Sequence, residues 1–449
     1  MTSLKAKNTD NKTNKEMKRR EFIKKAGLTA ATYLAAPYIL PSGRVFAKTA
    51  SRKVNHVVFC LFAGGIRNIE SVQKAEGNLM PHLLKGNETI SSDILGGMQQ
   101  VPRLNIPKLQ TQGTLFKEFR YKEGPTGHFN GHTTALTGTY TNINLDLRTN
   151  PAYPTIFEYY RKHSEPTKNA LNAWWISDSL GPYPALNFSN YEGYGANYGA
   201  NFMQPASFIS LAGYRSLGNA KNFSQSEFEQ IKAMREFLDD SFAQKFVEAN
   251  NAVRNSEANA YQIEQFIKRN FERAIAGEYN DPLNAGAATN NDMFNIFAAE
   301  KVIQEFKPEL LVVNMTGVDV CHSNYTQYCN NLRKADYAAA HLWNTIQNTE
   351  GMKDDTVMII VPEHGRNLEP NTIRDSFGRL ALDHTSDQMS RELFCMIVGN
   401  PSVVKQDHVI SEVKGESIDI VPTIAHLLGF YESIPQGLLR GKPLFEALV

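Results

Sequence analysis

Four short apolar runs constrain this chain more than any other feature of it. They are Val54 to Phe62, Leu310 to Met315, Thr356 to Val361 and Leu393 to Val398. Each has the length and β-branched content of a buried parallel strand. Between them, Asn291 to Phe306 and Asn324 to Gln347 carry apolar residues at helical spacing. Strands interleaved with helices predict an α/β fold, a doubly wound, mostly parallel sheet flanked by helices. In such sheets ligands bind beyond the carboxyl ends of the strands, so the loops after these runs are where chemistry is expected.

Charge separates the first residues from the rest. Residues 1–47 hold ten Lys/Arg against three Asp/Glu, leaving 37 basic and 43 acidic residues, net −6, in 48–449. An acidic balance of that kind argues against a nucleic-acid partner. Lys18-Arg19-Arg20-Glu21-Phe22-Ile23-Lys24 precedes a modestly apolar stretch, Ala26 to Leu40, and then Val45-Phe46-Ala47. The order resembles a twin-arginine signal with cleavage after Ala47. Its roughly 15 apolar residues are too few to span a bilayer, and the mature chain has no segment of transmembrane length. The expectation is a periplasmic protein, residues 48–449, delivered by the twin-arginine export machinery. Cys60, Cys321, Cys329 and Cys395 form no C-x-x-C pair; Cys60 and Cys395 lie in apolar runs, and Cys321 with Cys329 is the one pairing that export would permit.

The middle of the chain differs. Residues 172–215 hold Trp174-Trp175 and then Tyr, Asn and Gly without a period, and Ser224 to Gly277 is polar and helical, opening with Ser224-Gln225-Ser226-Glu227. Residues 172–290 are therefore expected to be a cap inserted into the sheet domain.

The loops after the strands deliver acid and imidazole together. Asp319-Val320-Cys321-His322 follows the second run, Glu363-His364 follows the third, and Asp383-His384 comes about twenty residues later, in a loop with Arg374 and Arg379. Carboxylate oxygen with imidazole nitrogen suits Zn²⁺, and mixed sites of this kind also take Mn²⁺ or Fe. Three such pairs among only 11 histidines predict a divalent-metal centre of one or two ions. A further element, Thr126-Gly127-His128-Phe129-Asn130-Gly131-His132-Thr133-Thr134, sets two histidines four apart on one helical face. Its small residues let a helix pack closely.

Taken in order, the Gly-Gly turn, the Thr134-Ala135-Leu136-Thr137-Gly138 helix, the three acid-imidazole loops and Ser417-Ile418-Asp419-Ile420-Val421-Pro422-Thr423-Ile424 resemble the alkaline phosphatase superfamily. That superfamily includes phosphatases, phosphodiesterases, sulfatases and cofactor-independent phosphoglycerate mutases. The likeness covers most of 54–165 and 295–449 and is closest to a twin-arginine-exported branch with His-Ser-His-Phe and Ser-Glu-Phe-Gly-Arg elements. It implies Asp319, His322, Glu363, His364 and His384 as metal ligands, with Asp383 a ligand or its partner. The activity implied is hydrolysis of a phosphate or related ester, on a small molecule or a polymer, with Arg366, Arg374 or Arg148 binding the anion.

Two departures stand out. Superfamily members place Asp in the turn after the first strand, where this chain has Ala63-Gly64-Gly65, with Asn68 and Glu70 nearby. The Ser or Thr nucleophile is replaced: its slot falls on His128, with hydroxyls at Thr126, Thr133 and Thr134 close in sequence. Formylglycine sulfatase chemistry is excluded, because no cysteine has Pro at +2. Two functions are then expected to compete: a metal-dependent hydrolase in which His128, Thr126 or Thr133 takes part in catalysis, and a catalytically degenerate binding or assembly module of the cell envelope.

Overall fold

In the computed structural model of the chain, the residues described are 52–142, 150–164, 170–178, 186–205, 255–385 and 387–449. The expected signal, residues 1–47, lies outside them, as does Arg148. No helix among the described residues is long and apolar enough to cross a membrane.

Eight strands form one sheet: β1 (His56–Phe62), β2 (Gly113–Arg120), β3 (Ala173–Ile176), β4 (Asn201–Met203), β5 (Leu310–Met315), β6 (Thr356–Pro362), β7 (Glu392–Val398) and β8 (His408–Glu416), in the order β4-β3-β5-β1-β6-β7-β2-β8. β1 sits at the centre, parallel to β5 on one side and β6 on the other. The fourth apolar run does not follow the parallel expectation. β7 is antiparallel to both β6 and β2. The reason is its connection: residues 363–391 contain no crossover helix, so the chain leaves β6 and re-enters the sheet at the same edge.

Six helices matter for the site and its support: α1 (His128–Thr137), α2 (Ile156–His163), α3 (Glu257–Ile275), α4 (Asn291–Phe306), α5 (Tyr325–Gln347) and α6 (Ile420–Leu427). Their ends obey local chemistry. Asn290 caps α4 by accepting from the Met293 amide, Asn324 caps α5 in the same way, and Thr155 with Glu158 makes a reciprocal capping box on α2. Alternation along β1 divides the core. Val58, Cys60 and Phe62 pack toward α4 and α5, while Val57, Phe59 and Leu61 pack toward α1, α2 and α6. All four cysteines are buried and free, so Cys321 and Cys329 are not paired.

The segment expected to be a cap is partly sheet. Trp174 and Trp175 lie in β3, facing opposite cores, and β4 forms the sheet edge beyond it. α3 begins after its cap, Ser256, and lays Phe266 against Trp174, which stacks on Phe306 at 5.2 Å. Residues 206–254, including the predicted helix start at Ser224, lie outside the described residues.

A candidate metal centre

The site assembles at the carboxyl edge of the central strands. β5 leads into a 3-10 turn, Gly317–His322, that carries Asp319 and His322. β6 delivers Glu363 and His364, and the excursion that follows returns Asp383 and His384 to the same place, pinned by the Asn367 amide donating to the Asp383 carbonyl at 2.8 Å. His128 is the first residue of α1. That helix approaches closely because position 131 is glycine: a Cβ there would stand 3.0 Å from the Glu363 Cβ. The turn after β1 is just as tight. A Cβ on Gly64 (φ +98°) would meet the Asp319 backbone nitrogen at 2.5 Å, and one on Gly65 (φ +80°) would meet His364 Nδ1 at 2.5 Å.

Two donor groups result. His128, Asp319, His322 and His384 each offer an atom within 4.8 Å of the others, and so do His128, Glu363 and His364. Orientation of the rings follows from what their Nδ1 atoms touch. His364 Nδ1 donates to the Gly365 carbonyl at 2.8 Å and His384 Nδ1 to the Thr126 carbonyl at 2.5 Å. A carbonyl can only accept, so in both rings the proton is on Nδ1 and the Nε2 lone pair is free. His322 Nδ1 faces Asp383 Oδ1 at 2.7 Å, leaving its Nε2 3.3 Å from Asp319 Oδ1. Tethering Nδ1 to an oxygen while presenting Nε2 is how proteins hold metal-binding histidines. His384 Nε2 is moreover buried without any hydrogen-bond partner. An orphaned imidazole nitrogen inside a ring of N and O donors fits a cation with a nitrogen-oxygen preference.

The charges agree with this. Burial works against the charged form of Glu363, but the facing His132, His364 and His128 outweigh it and hold the carboxyl well below its usual range. Asp319 is held low in the same way by His128, His322 and Arg366. Burial lowers His128, yet Glu363 and Asp319 more than reverse that and push it up to about 10. His384 is driven down by burial and then by its cationic neighbours. Two carboxylates kept ionised amid imidazoles leave the centre ready for positive charge.

Not every residue expected at the site sits there with a free functional group. The guanidinium of Arg366 is fully buried and is spent on the chain itself: Nε donates to the Gly65 carbonyl, Nη1 to that of Leu382, and Nη2 to that of Gly64 and to Asp319 Oδ1 at 3.0 Å. It braces the turn after β1 instead of facing an anion. Arg374 lies on an exposed hairpin and donates to the Gly378 carbonyl. The Thr126 hydroxyl donates to the His384 carbonyl, and Thr133 is buried on α1; neither belongs to a donor group. Nor do Asn68 and Glu70 supply the missing aspartate. Asn68 donates to the carbonyls of Lys117 and Leu393, and Glu70 is held by Arg67.

Two residues with a part in the site escaped the sequence reading. His132 Nδ1 lies against Glu363 Oε2, and its Nε2 meets Asn314 Oδ1 at 3.0 Å. The signal for them was a histidine one turn after His128 and a lone amide inside the apolar run of β5.

In comparisons with known proteins, no protein-family model matches this chain, and no curated protein matches it. Solved structures do. The chain is similar to an alkaline phosphatase superfamily protein from Vibrio parahaemolyticus, at 12% identity over 90% of this chain and 75% of that one, with TM-score 0.44. It is similar to the alkaline phosphatase PafA, at 10% identity over 89% of this chain and 100% of that one, TM-score 0.46. A phosphonate monoester hydrolase from Silicibacter pomeroyi is similar at 14% identity over 87% and 75%, TM-score 0.39.

Proposed function

We propose that this chain is an exported, periplasmic, metal-dependent hydrolase of phosphate or related esters. One observation carries the reading: three histidine rings are tethered at Nδ1 so that their Nε2 atoms converge with Asp319 and Glu363, and one of those nitrogens is buried and unpartnered. The basic, twin-arginine-like start of the chain supports export.

A divalent cation bound here would polarise an ester oxygen and make hydroxide available near neutral pH. Substrate access follows from exposure. The Asp319 and His322 side chains are 41% and 39% exposed, while those of Glu363 and His364 are sealed. An ester therefore arrives on the Asp319, His322 and His128 side. Glu363 anchors the inner wall, accepting from the Gly64 amide at 2.5 Å. Attack by water rather than by a side-chain hydroxyl suits a site whose nearest threonine, Thr126, already donates to a carbonyl.

The binding-module reading has one observation in its favour: Arg366, the cation nearest the cluster, is spent internally. The two readings part in one assay. The full chain, stripped by chelator and reloaded with Zn²⁺, Mn²⁺ or Fe²⁺, is offered nitrophenyl phosphomonoesters and diesters. Hydrolysis that requires metal and is lost in His364→Ala supports the enzyme. Metal-loaded protein inert toward both ester classes supports the module.

A further inference from the structure

We propose that His128 bridges two divalent cations through its own ring, Nε2 serving the donor set of Asp319, His322 and His384 and Nδ1 serving that of Glu363 and His364. The proposal rests on the metal-centre reading above and specifies how that centre is built.

His128 is the one residue common to both donor groups. Its two nitrogens face different ways. Nε2 stands 3.2 Å from Asp319 Oδ1, which in turn is 3.3 Å from His322 Nε2. Nδ1 stands 2.7 Å from Glu363 Oε1 and 3.4 Å from His364 Nε2, and those two atoms are 3.2 Å apart. Ligands about 2.1 Å from a tetrahedral ion lie roughly 3.3 Å from one another, so each set already has the spacing of a coordination shell, with only the Glu363 contact needing to open as an ion enters.

The other three rings exclude themselves from such a role. Each has its Nδ1 committed to an oxygen outside the donor sets: the Gly365 carbonyl, the Thr126 carbonyl, or Asp383. The Nδ1 of His128 has no tether of that kind. Its partner, Glu363 Oε1, belongs to the second set and is already fixed by the Gly64 amide. The opposite oxygen of Glu363 lies against His132, whose far nitrogen meets Asn314 in β5. The inner set is thus held from behind, as ligands of a bound ion are.

A ring that binds two ions has given up both N–H protons, and the second leaves to solvent as the inner ion enters. The ions would stand about 6 Å apart, two metal-nitrogen bonds plus the width of the ring, wider than the roughly 4 Å of sites whose two metals clamp one substrate oxygen. Only the outer ion, in the exposed set, then meets the ester; the inner one, among sealed residues, acts on it through the ring.

Spin coupling tests this without any assay of catalysis. The full chain is stripped and titrated with Cu²⁺ while metal content and the electron paramagnetic resonance signal are followed. The bridge predicts two ions per chain, with the mononuclear signal growing to one equivalent and collapsing as the second binds, because the ring couples the two spins. Glu363→Ala is expected to stop at one ion with the mononuclear signal intact, and His128→Ala to remove the coupling. Saturation at one ion, two ions with additive spectra, or no Cu²⁺ binding would each overturn the bridge. Should His128→Ala fail to fold by circular dichroism, the wild-type titration and Glu363→Ala decide alone. The hydrolase reading fails separately: hydrolysis by a one-ion protein overturns the bridge and spares the activity, whereas a coupled pair without hydrolysis does the reverse.

Discussion

Arg366 and Arg374 carry the same charge and lie eight residues apart, and their environments assign them opposite duties. Arg366 is buried with its donors on three backbone carbonyls and on Asp319, so removing it strands those acceptors in the interior. We expect Arg366→Met to cost about 3 kcal/mol or more, and Arg374→Ala, on its exposed hairpin, to stay within about 0.5 kcal/mol, as measured by denaturant unfolding. Equal effects from the two would remove the bracing role given to Arg366. The turn that Arg366 braces makes its own prediction. Gly65→Ala puts a Cβ at positive φ and 2.5 Å from the His364 ring, which we expect to cost about 1–3 kcal/mol and to weaken metal binding by more than tenfold. Unchanged affinity in a calorimetric titration would mean that the turn does not position the ring. At this scale the donor residues were legible, because acid next to imidazole is visible in the letters. The duty of Arg366 was not, since nothing in a sequence states whether a guanidinium meets an anion or its own backbone.

Elements were legible wherever their ends have side-chain chemistry. α4 runs from Asn291 to Phe306 as its periodicity and its cap, Asn290, predict. The direction of β7 was not legible, because an apolar run reads the same parallel or antiparallel and the deciding fact is the lack of a helix in the connection before it. Inside α4 sits a carboxylate that ties helix to site. Asp292 is fully buried, and both its oxygens accept from the amide of Gly317, at the start of the turn that carries Asp319. Burial, aided by nearby Asp178 and opposed by those amides, pushes its pKa up from 3.8 to about 7. The sign follows. Between those two values the folded chain keeps a proton that the unfolded chain has lost, so this group's contribution to stability falls as pH rises from about 4 to about 7 and is level beyond. Asp319 and Glu363, held low, slope the other way, so the comparison has to be made against a variant. Asp292→Asn keeps an acceptor for the Gly317 amide and cannot ionise. We expect the stability difference, variant minus wild type, to grow by a few kcal/mol in order of magnitude across that interval in chelator-treated protein. A difference that stays flat from pH 4 to pH 7 would refute the buried charge.

The whole molecule shows why a site spread over 128, 319–322 and 363–384 could be read from the sequence at all. In a sheet whose central strands run parallel, the loops after β1, β5 and β6 must meet at one edge, so motifs distant in sequence become neighbours once the strands are recognised. What stayed hidden is the edge of that sheet: β3 and β4 lie in a segment without period, and tryptophans that looked like cap surface are core on both faces. Assembly from three stretches has a thermodynamic consequence. The donor sets exist only when α1 and the loops after β5 and β6 are docked together, so an ion that binds them binds the folded chain and not the unfolded one. At free metal a hundredfold above its dissociation constant this adds about 2.7 kcal/mol, which for a chain of this size is a melting-temperature shift of several degrees. We expect chelator to lower the melting temperature of wild type by that amount and added Zn²⁺ to restore it. His384→Ala removes the orphaned nitrogen and is expected to lose most of the shift while melting near the stripped wild type. If the stripped and reloaded wild type melt together, the donors meet for reasons of packing alone, and the carboxylates Asp319 and Glu363 are balanced by protonated histidines instead of by a metal.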